Sequence, residues 1–441
     1  MPTLGAAAAP GIPHDQMLLL LTQIGVLLAL ATVLGRLAAR LALPPVVGEL
    51  AAGIVIGPSV LGHLTPGLSH RLFPADPGQA HLLAAVAQLG VLLLVGITGA
   101  HVDLALLRHR RAAVAAVSAG SVLLPLVVGV GLGFLLPAAL LGERGNRTTF
   151  ALFIGVAVAV SALPVIAKTL LDMKLLHRNV GQVIIGAAAV SDIVGWLLLS
   201  VVSATATAGF GVGTVAESVG WLLVILLVTV WVARPVIGRL LRLVERSDNS
   251  DGVGAATVVV LLVLAAAGTH ALKMEPILGA FLCGIVIGAS GAAGRRFLHT
   301  VRPFVMAVLA PLFLATAGLQ ADLYALANPS VLMAALVTLV VAVGAKLAGG
   351  YAGARLSGSS HHESLAVGAG LNARGVVEIV LASVGLGIGL LNTASYTVIV
   401  LVALVTSVMA PPILRRTTNR IPLASTEIER ERRFVGDPVT T

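Results

Sequence analysis

Cysteine is nearly absent from this sequence, with Cys283 the single one in 441 residues. That excludes an intrachain disulfide and any cysteine-built zinc or iron–sulfur centre. Charge is scarce as well: Asp, Glu, Lys and Arg make up 11% of the chain, against about 25% in soluble domains, which excludes an ordinary soluble enzyme. Lysine is the rarest charge, four against 24 arginines. Only 16 aromatic residues occur, few for lining a roomy organic-ligand cavity. No strand-turn-helix segment carries GxGxxG, and no phosphate-cradling loop ends in Gly-Lys-Ser/Thr. No cofactor and no nucleotide partner is therefore expected. The net charge of +9 is strung out between apolar runs, which argues against a nucleic-acid partner and makes the basic residues reporters of orientation.

What the chain has in quantity is apolar sequence, 58% of its residues at a mean hydropathy of +1.02. A bilayer-spanning helix needs about 20 mostly apolar residues. On that rule the chain reads as an all-α polytopic membrane protein with thirteen spans, at 17–35, 44–61, 82–100, 112–136, 148–171, 180–206, 214–233, 254–271, 276–290, 303–320, 331–354, 364–390 and 393–413. Arg36 and Arg40 follow the first span and no Lys or Arg precedes it, so it is expected to be retained rather than cleaved as a leader. Alternate loops hold 22 of the 28 Lys and Arg residues, among them Arg108, Arg110, Lys174 and the tail arginines Arg415, Arg416, Arg420, Arg430, Arg432 and Arg433. Positive loops face the cytoplasm, so the N-terminus is expected outside and the C-terminus inside. A single transmembrane domain over 1–413 and a short charged cytoplasmic tail at 414–441 account for the whole sequence.

The chain contains two echoes of itself. Residues 48–57, GELAAGIVIG, match 279–288, GAFLCGIVIG, and LLVGITGAHVDL ending at Leu104 matches LFLATAGLQADL ending at Leu323. Each pair lies seven spans apart, and an odd offset inverts the copy. Inverted repeats, here about 17–206 and 254–413 with a linker helix at 214–233, are a signature of secondary transporters whose sites lie where discontinuous helices meet. Two spans related by this repeat are interrupted. Span 5 contains AVSALPVIAK, in which Pro164 removes a backbone donor, and span 12 contains LNARGVVEIV, broken at Asn372, Arg374 and Gly375. Such breaks survive at membrane depth only when buried in protein or facing water, and two that cross make a cation site.

Ionisable groups inside spans are functional hypotheses by default. Asp192 lies in the middle of span 6 within VIIGAAAVSDIVGWLLL, with no basic neighbour in sequence. Desolvation disfavours a bare carboxylate, so proton and cation compete for it. Ser191 beside it and Ser161 in the span 5 break offer further ligand oxygens, or pack. Lys346, in span 11, either holds a fixed charge against Asp192, exchanges a proton itself, or snorkels towards the cytoplasm. Arg374 and Glu378 stand four apart and are expected to pair structurally on one helix face. His101, His361 and His362 read as solvated loop residues, and Cys283 as packing.

These segments resemble the monovalent cation:proton antiporter-2 superfamily over roughly 17–413. PPVVGELAAGIVIGPSVLG at 44–62 resembles its opening motif, and AVSALPVIAKTLLDMKLL followed by GAAAVSDIVGWLLL its broken helix and ion-binding helix, as in plant cation/proton exchangers. PLFLATAGLQADL, AKLAGGYAGARL and LNARGVVEIVLASVG follow in family order. The resemblance implies a Na+/H+ or K+/H+ exchanger in the plasma membrane, a homodimer, and a six-helix core moving against a dimerisation domain. It places the essential aspartate at Asp192, which would hold the alkali cation, and the core basic residue at Lys346. Ser191 departs from the acid or asparagine usual before that aspartate, and leaves the stoichiometry between one and two protons per cation. The second reading is a proton-coupled exporter of an organic ion on the same fold, and a passive channel is the third.

Overall fold

Side chains and prolines in the sequence set where the helices start. Pro45, Pro276 and Pro329 each open a helix at its first residue, where the missing N–H costs nothing. Asn146 accepts from Thr149 N at 2.8 Å and Asn328 from Ser330 N at 2.9 Å. Capping boxes at Ser360/Glu363 and Asn392/Ser395 start two more, each satisfying two amides that the first turn leaves free. The computed structural model describes residues 12–41, 43–74, 76–100, 102, 111–173, 175, 178–208, 211–246, 250–419, 421 and 427. His101, Asp103, Leu104, Arg108, Arg110, Lys174 and most of the tail, including Arg420, Arg430, Arg432 and Arg433, lie outside the described residues.

The helices are α1 His14–Arg40, α2 Pro45–Ile56, α3 Pro77–Ala100, α4 Arg111–Leu135, α5 Arg147–Ala159, α6 Leu163–Asp172 and α7 Asn179–Ala208. Then come α8 Val212–Val228 and α9 Arg234–Glu245, joined by a π turn, followed by α10 Ser250–Ala271 and α11 Pro276–Ala289. A second π turn joins α12 Ala292–Phe304 to α13 Ala310–Leu319, and α14 Pro329–Leu356, α15 His361–Leu371, α16 Val376–Gly387 and α17 Thr393–Thr418 complete the order. The fold is all-helical: among the described residues the β pairing is one isolated bridge, Leu141 to Leu391. Among the described residues eleven helices are long and apolar enough to cross a membrane, α15 with α16 makes a pair bent by 43°, and α11 is a shorter apolar helix. Two spans are longer than the hydropathy predicts. The seventh continues through Arg234–Glu245 and the tenth begins at Ala292, because the π turns carry the helix past charged residues such as Arg239 and Arg295 that end the apolar window.

Two bundles result. One holds α1 to α3 with α10 to α13, the other α4 to α7 with α14 to α17, and α8–α9 connects them. The echoed segments explain the first bundle. A Cβ at Gly53 of α2 would lie 1.9 Å from Ala315 O of α13, and one at Gly284 of α11 would lie 1.9 Å from Gly96 O of α3. Each glycine is therefore required by a backbone crossing, and each echo packs on the partner of its copy. Apolar side chains such as Leu21, Val127, Leu227 and Trp231 point outward, where lipid replaces water as their surroundings.

The described part of the tail is docked, not solvated. Glu427 accepts from the amide of Asn179 at 2.7 Å and pairs with Arg178 at 3.3 Å, while Arg178 also donates to Ile421 O at 3.0 Å. A carboxylate there complements the N-terminal end of α7. Glu427→Ala is expected to cost about 1 kcal/mol through the lost cap, read as a lower melting temperature in detergent.

Candidate functional site

The second bundle is organised around two breaks that cross. Helix α5 ends at Ala159, residues 160–162 are non-helical, and α6 begins at Leu163. Pro164 is thus the second residue of a new helix, where its missing N–H is tolerated. On the other strand of the crossing, α15 ends at Leu371 and α16 begins at Val376. The breaks are tied directly: Ala162 N donates to Ala373 O at 3.2 Å, and the Ser161 hydroxyl to Leu371 O at 2.9 Å. Removing the second tie, as in Ser161→Ala, is expected to cost about 1 kcal/mol and to lower the melting temperature correspondingly.

A helix that stops inside a bundle leaves its last carbonyls without partners. For α5 those carbonyls are met by two cations. Arg374 donates to Ala157 O at 2.7 Å and to Val158 O at 2.6 Å, and Lys346 donates to Ala159 O. Positive charge at the negative end of a helix is favourable, and burial strengthens it. Arg374 reaches further, to Ala342 O at 3.3 Å and to Glu378 at 3.1 Å, while its own carbonyl accepts from the Ser407 hydroxyl. Lys346 also donates to Ser121 O of α4 at 2.9 Å. Both side chains are fully buried. Lys346 therefore points into the bundle rather than snorkelling, and it makes no ion pair with Asp192 among the described residues. The Arg374–Glu378 pair forms as an i,i+4 contact between the break and the first turn of α16.

Asp192 stands on α7 facing this crossing. It is fully buried, and neither carboxylate oxygen has a hydrogen-bond partner among the described residues. The Leu163 backbone, at the start of α6, and Lys346 are the groups that act on it electrostatically. Ser191 is buried beside it and donates at 3.5 Å to Ala159 O, the carbonyl that Lys346 holds. Asn372, in the α15–α16 break, is likewise buried with both amide atoms unpartnered among the described residues. An unpartnered buried polar group costs about 1–3 kcal/mol, more when charged, so a small cation or a proton at Asp192 removes a penalty that the protein alone leaves standing. The oxygen donors fit a hard alkali ion.

Several supporting residues lie outside the reach of sequence reasoning. Ser407 and the carbonyls of Ser121 and Ala342 carry no local signal beyond a hydroxyl in an apolar run, and Ser121 O is 225 residues from the lysine it holds. His361 is exposed, as expected, with its Nδ1 3.0 Å from the Tyr351 hydroxyl.

Residues 26–420 match the family model described as sodium/hydrogen exchanger, transmembrane. Cation/H(+) antiporter 15 of Arabidopsis thaliana is 29% identical over 360 residues, covering 82% of this chain and 43% of the relative. The chain thus spans less than half the length of that relative. Na(+)/H(+) antiporter NhaS4 of Synechocystis is 29% identical over 404 residues, 91% of this chain and 97% of the relative. Among solved structures, the sodium proton antiporter MjNhaP1 from Methanocaldococcus jannaschii at pH 8 superposes with a TM-score of 0.63 at 15% identity, covering 94% of this chain and 99% of that one. The fold is shared with that structure.

Proposed function

Because the chain belongs to the transmembrane sodium/hydrogen exchanger family, we propose that it is a secondary transporter, exchanging a monovalent cation, Na+ or K+, for H+ by alternating access. One observation carries the reading: a fully buried carboxylate, Asp192, with both oxygens unpartnered among the described residues, beside two crossed helix breaks. Proton and cation each neutralise it, and each excludes the other. A bare carboxylate opposes passage through a low-dielectric interior, so the bundle carrying Asp192 swings loaded with one ligand or the other, and the two fluxes are coupled. The neutralised site is the state that moves.

Ser191 and Ser161 are the proposed auxiliary cation ligands: each hydroxyl donates its proton to a carbonyl, which leaves oxygen lone pairs free to accept. Lys346 is proposed as a fixed charge. Its ammonium donates to the Ser121 and Ala159 carbonyls, and releasing its proton would remove the positive charge that faces the negative end of α5. One proton per cation, an electroneutral cycle, follows. The chain would sit in the plasma membrane as a homodimer with its N-terminus outside and C-terminus in the cytoplasm, the second bundle sliding against the first.

Reconstituted in liposomes bearing a pH gradient, the protein is expected to dissipate that gradient on addition of Na+ or K+, saturably and at a rate unchanged by clamping the membrane voltage. Absence of a response to Na+, K+ and Li+ would overturn the reading, and a voltage-dependent rate would overturn the stoichiometry.

A further inference from the structure

Sliding of one bundle against the other requires their contacts to break, and the polar contacts are unevenly placed. Three side-chain hydrogen bonds join the bundles among the described residues. Tyr396 of α17 donates to Ala317 O at 2.7 Å, Asp322 N donates to Thr397 at 2.9 Å, and Ser203 of α7 donates to Glu275 before α11. Counting spans, all three lie at the same end, the one opposite the arginine-rich loops. Glu275 is the only carboxylate among those donors and acceptors.

Its partner sits on the helix of Asp192. Asp192, Trp196 and Ser200 recur every four residues along α7, with Ser203 three further on, so they line one face. That face meets α11, where the Trp196 and Phe281 rings lie 6.2 Å apart. The Trp196 Nε1 and Ser200 Oγ atoms are buried and have no hydrogen-bond partner among the described residues. The stripe is therefore polar and closed, and at 1.5 Å rise per residue it runs about 16 Å from Asp192 to Ser203. Glu275 stands at its outer mouth. Burial pushes its carboxyl up from the ordinary value, with the Ser203 hydroxyl and then His270 acting in the opposite sense.

We propose that Glu275 is the gating residue of this route: bonded to Ser203, it latches the Asp192 bundle against the other at the end away from the arginine-rich loops, and releasing it opens the Trp196–Ser200 stripe to the water on that side. Glu275 acts through Ser203 and not on the transported ion, so it is a positioning residue. The inference rests on the alternating-access reading given above.

The test uses the full chain with its sole cysteine removed, Cys283→Ser, and a reporter placed on the stripe, Ser200→Cys. Reconstituted right side out, this protein is labelled from outside with a membrane-impermeant maleimide. In Glu275→Ala and in Ser203→Ala the labelling rate is expected to rise about tenfold, the shift that loss of one buried hydrogen bond produces. Glu275→Gln keeps an acceptor for Ser203 and is expected to stay near the parent rate, which a merely misfolded variant would not allow. Equal labelling of parent and Glu275→Ala overturns the proposal, as does Glu275→Gln labelling as fast as Glu275→Ala. Labelling needs no ion exchange, so cation-driven proton flux, measured on the same vesicles, fails separately if the exchange reading is wrong.

Discussion

Replacing Asp192 by Asn is expected to abolish cation-driven proton flux while leaving the protein folded. The amide has nearly the shape of the carboxyl but neither takes up a proton at working pH nor offers charge to a cation. Because both Asp192 oxygens lack partners among the described residues, the substitution breaks no hydrogen bond, and removing a buried charge relieves a desolvation cost. The melting temperature of Asp192→Asn should therefore equal or exceed that of the parent. That combination, zero flux with undiminished stability, separates a transport residue from a structural one. Flux that survives in Asp192→Asn would remove the carboxylate from the mechanism. A marked loss of stability would mean that Asp192 has a packing role that its unpartnered oxygens do not indicate.

Arg374→Ala is expected to have the opposite signature. The guanidinium holds Ala157 O, Val158 O and Ala342 O and pairs with Glu378, and all of these are left in a dry interior when it goes. Removing one partner of a buried pair costs about 3–5 kcal/mol, enough to deplete folded protein from the membrane. Arg374→Lys should not rescue it, because a single ammonium cannot reproduce a fork that serves several oxygens at once. Glu378→Gln in the Arg374→Ala background should recover part of the loss by removing the stranded charge. The measurement is thermal unfolding in detergent by tryptophan fluorescence, and near-parent stability of Arg374→Ala would show that water meets those carbonyls instead.

The sequence was most legible where the bilayer imposes its own rules. Lipid forbids unpaired backbone, so the spans appear as apolar runs, and the few residues that disturb such runs stand out: Pro164, Asn372, Arg374, Gly375, Asp192 and Lys346. Both breaks lie where those residues placed them, and the inverted echoes between Gly48 and Gly57 and between Gly279 and Gly288 mark helices that do cross at glycine. Partners were far less legible. The sequence leaves Lys346 open between a charge set against Asp192, a proton carrier and a snorkelling residue, yet its ammonium is held by two carbonyls, one of them in a helix whose polar residues, Ser118 and Ser121, attract no notice. The Ser203–Glu275 and Asn179–Glu427 contacts join residues 72 and 248 apart. No local pattern encodes such pairs, because tertiary packing alone decides which backbone oxygen a buried donor meets. Helix ends were misplaced for a related reason, since the π turns at Thr229–Ala233 and Val305–Leu309 prolong helices beyond the window that hydropathy sees.

Competition of proton and cation for one carboxylate is the central claim, and it can be read without any membrane. Purified protein in weakly buffered detergent solution is titrated with NaCl or KCl, with choline chloride as the ionic-strength control, and the protons released are counted with a pH dye. Binding of a cation at a protonated site must expel the proton. About one proton per chain, saturating with Na+ or K+ and missing in Asp192→Asn, is the expected result. Equal release from Asp192→Asn, or none from the parent with either cation, would contradict it.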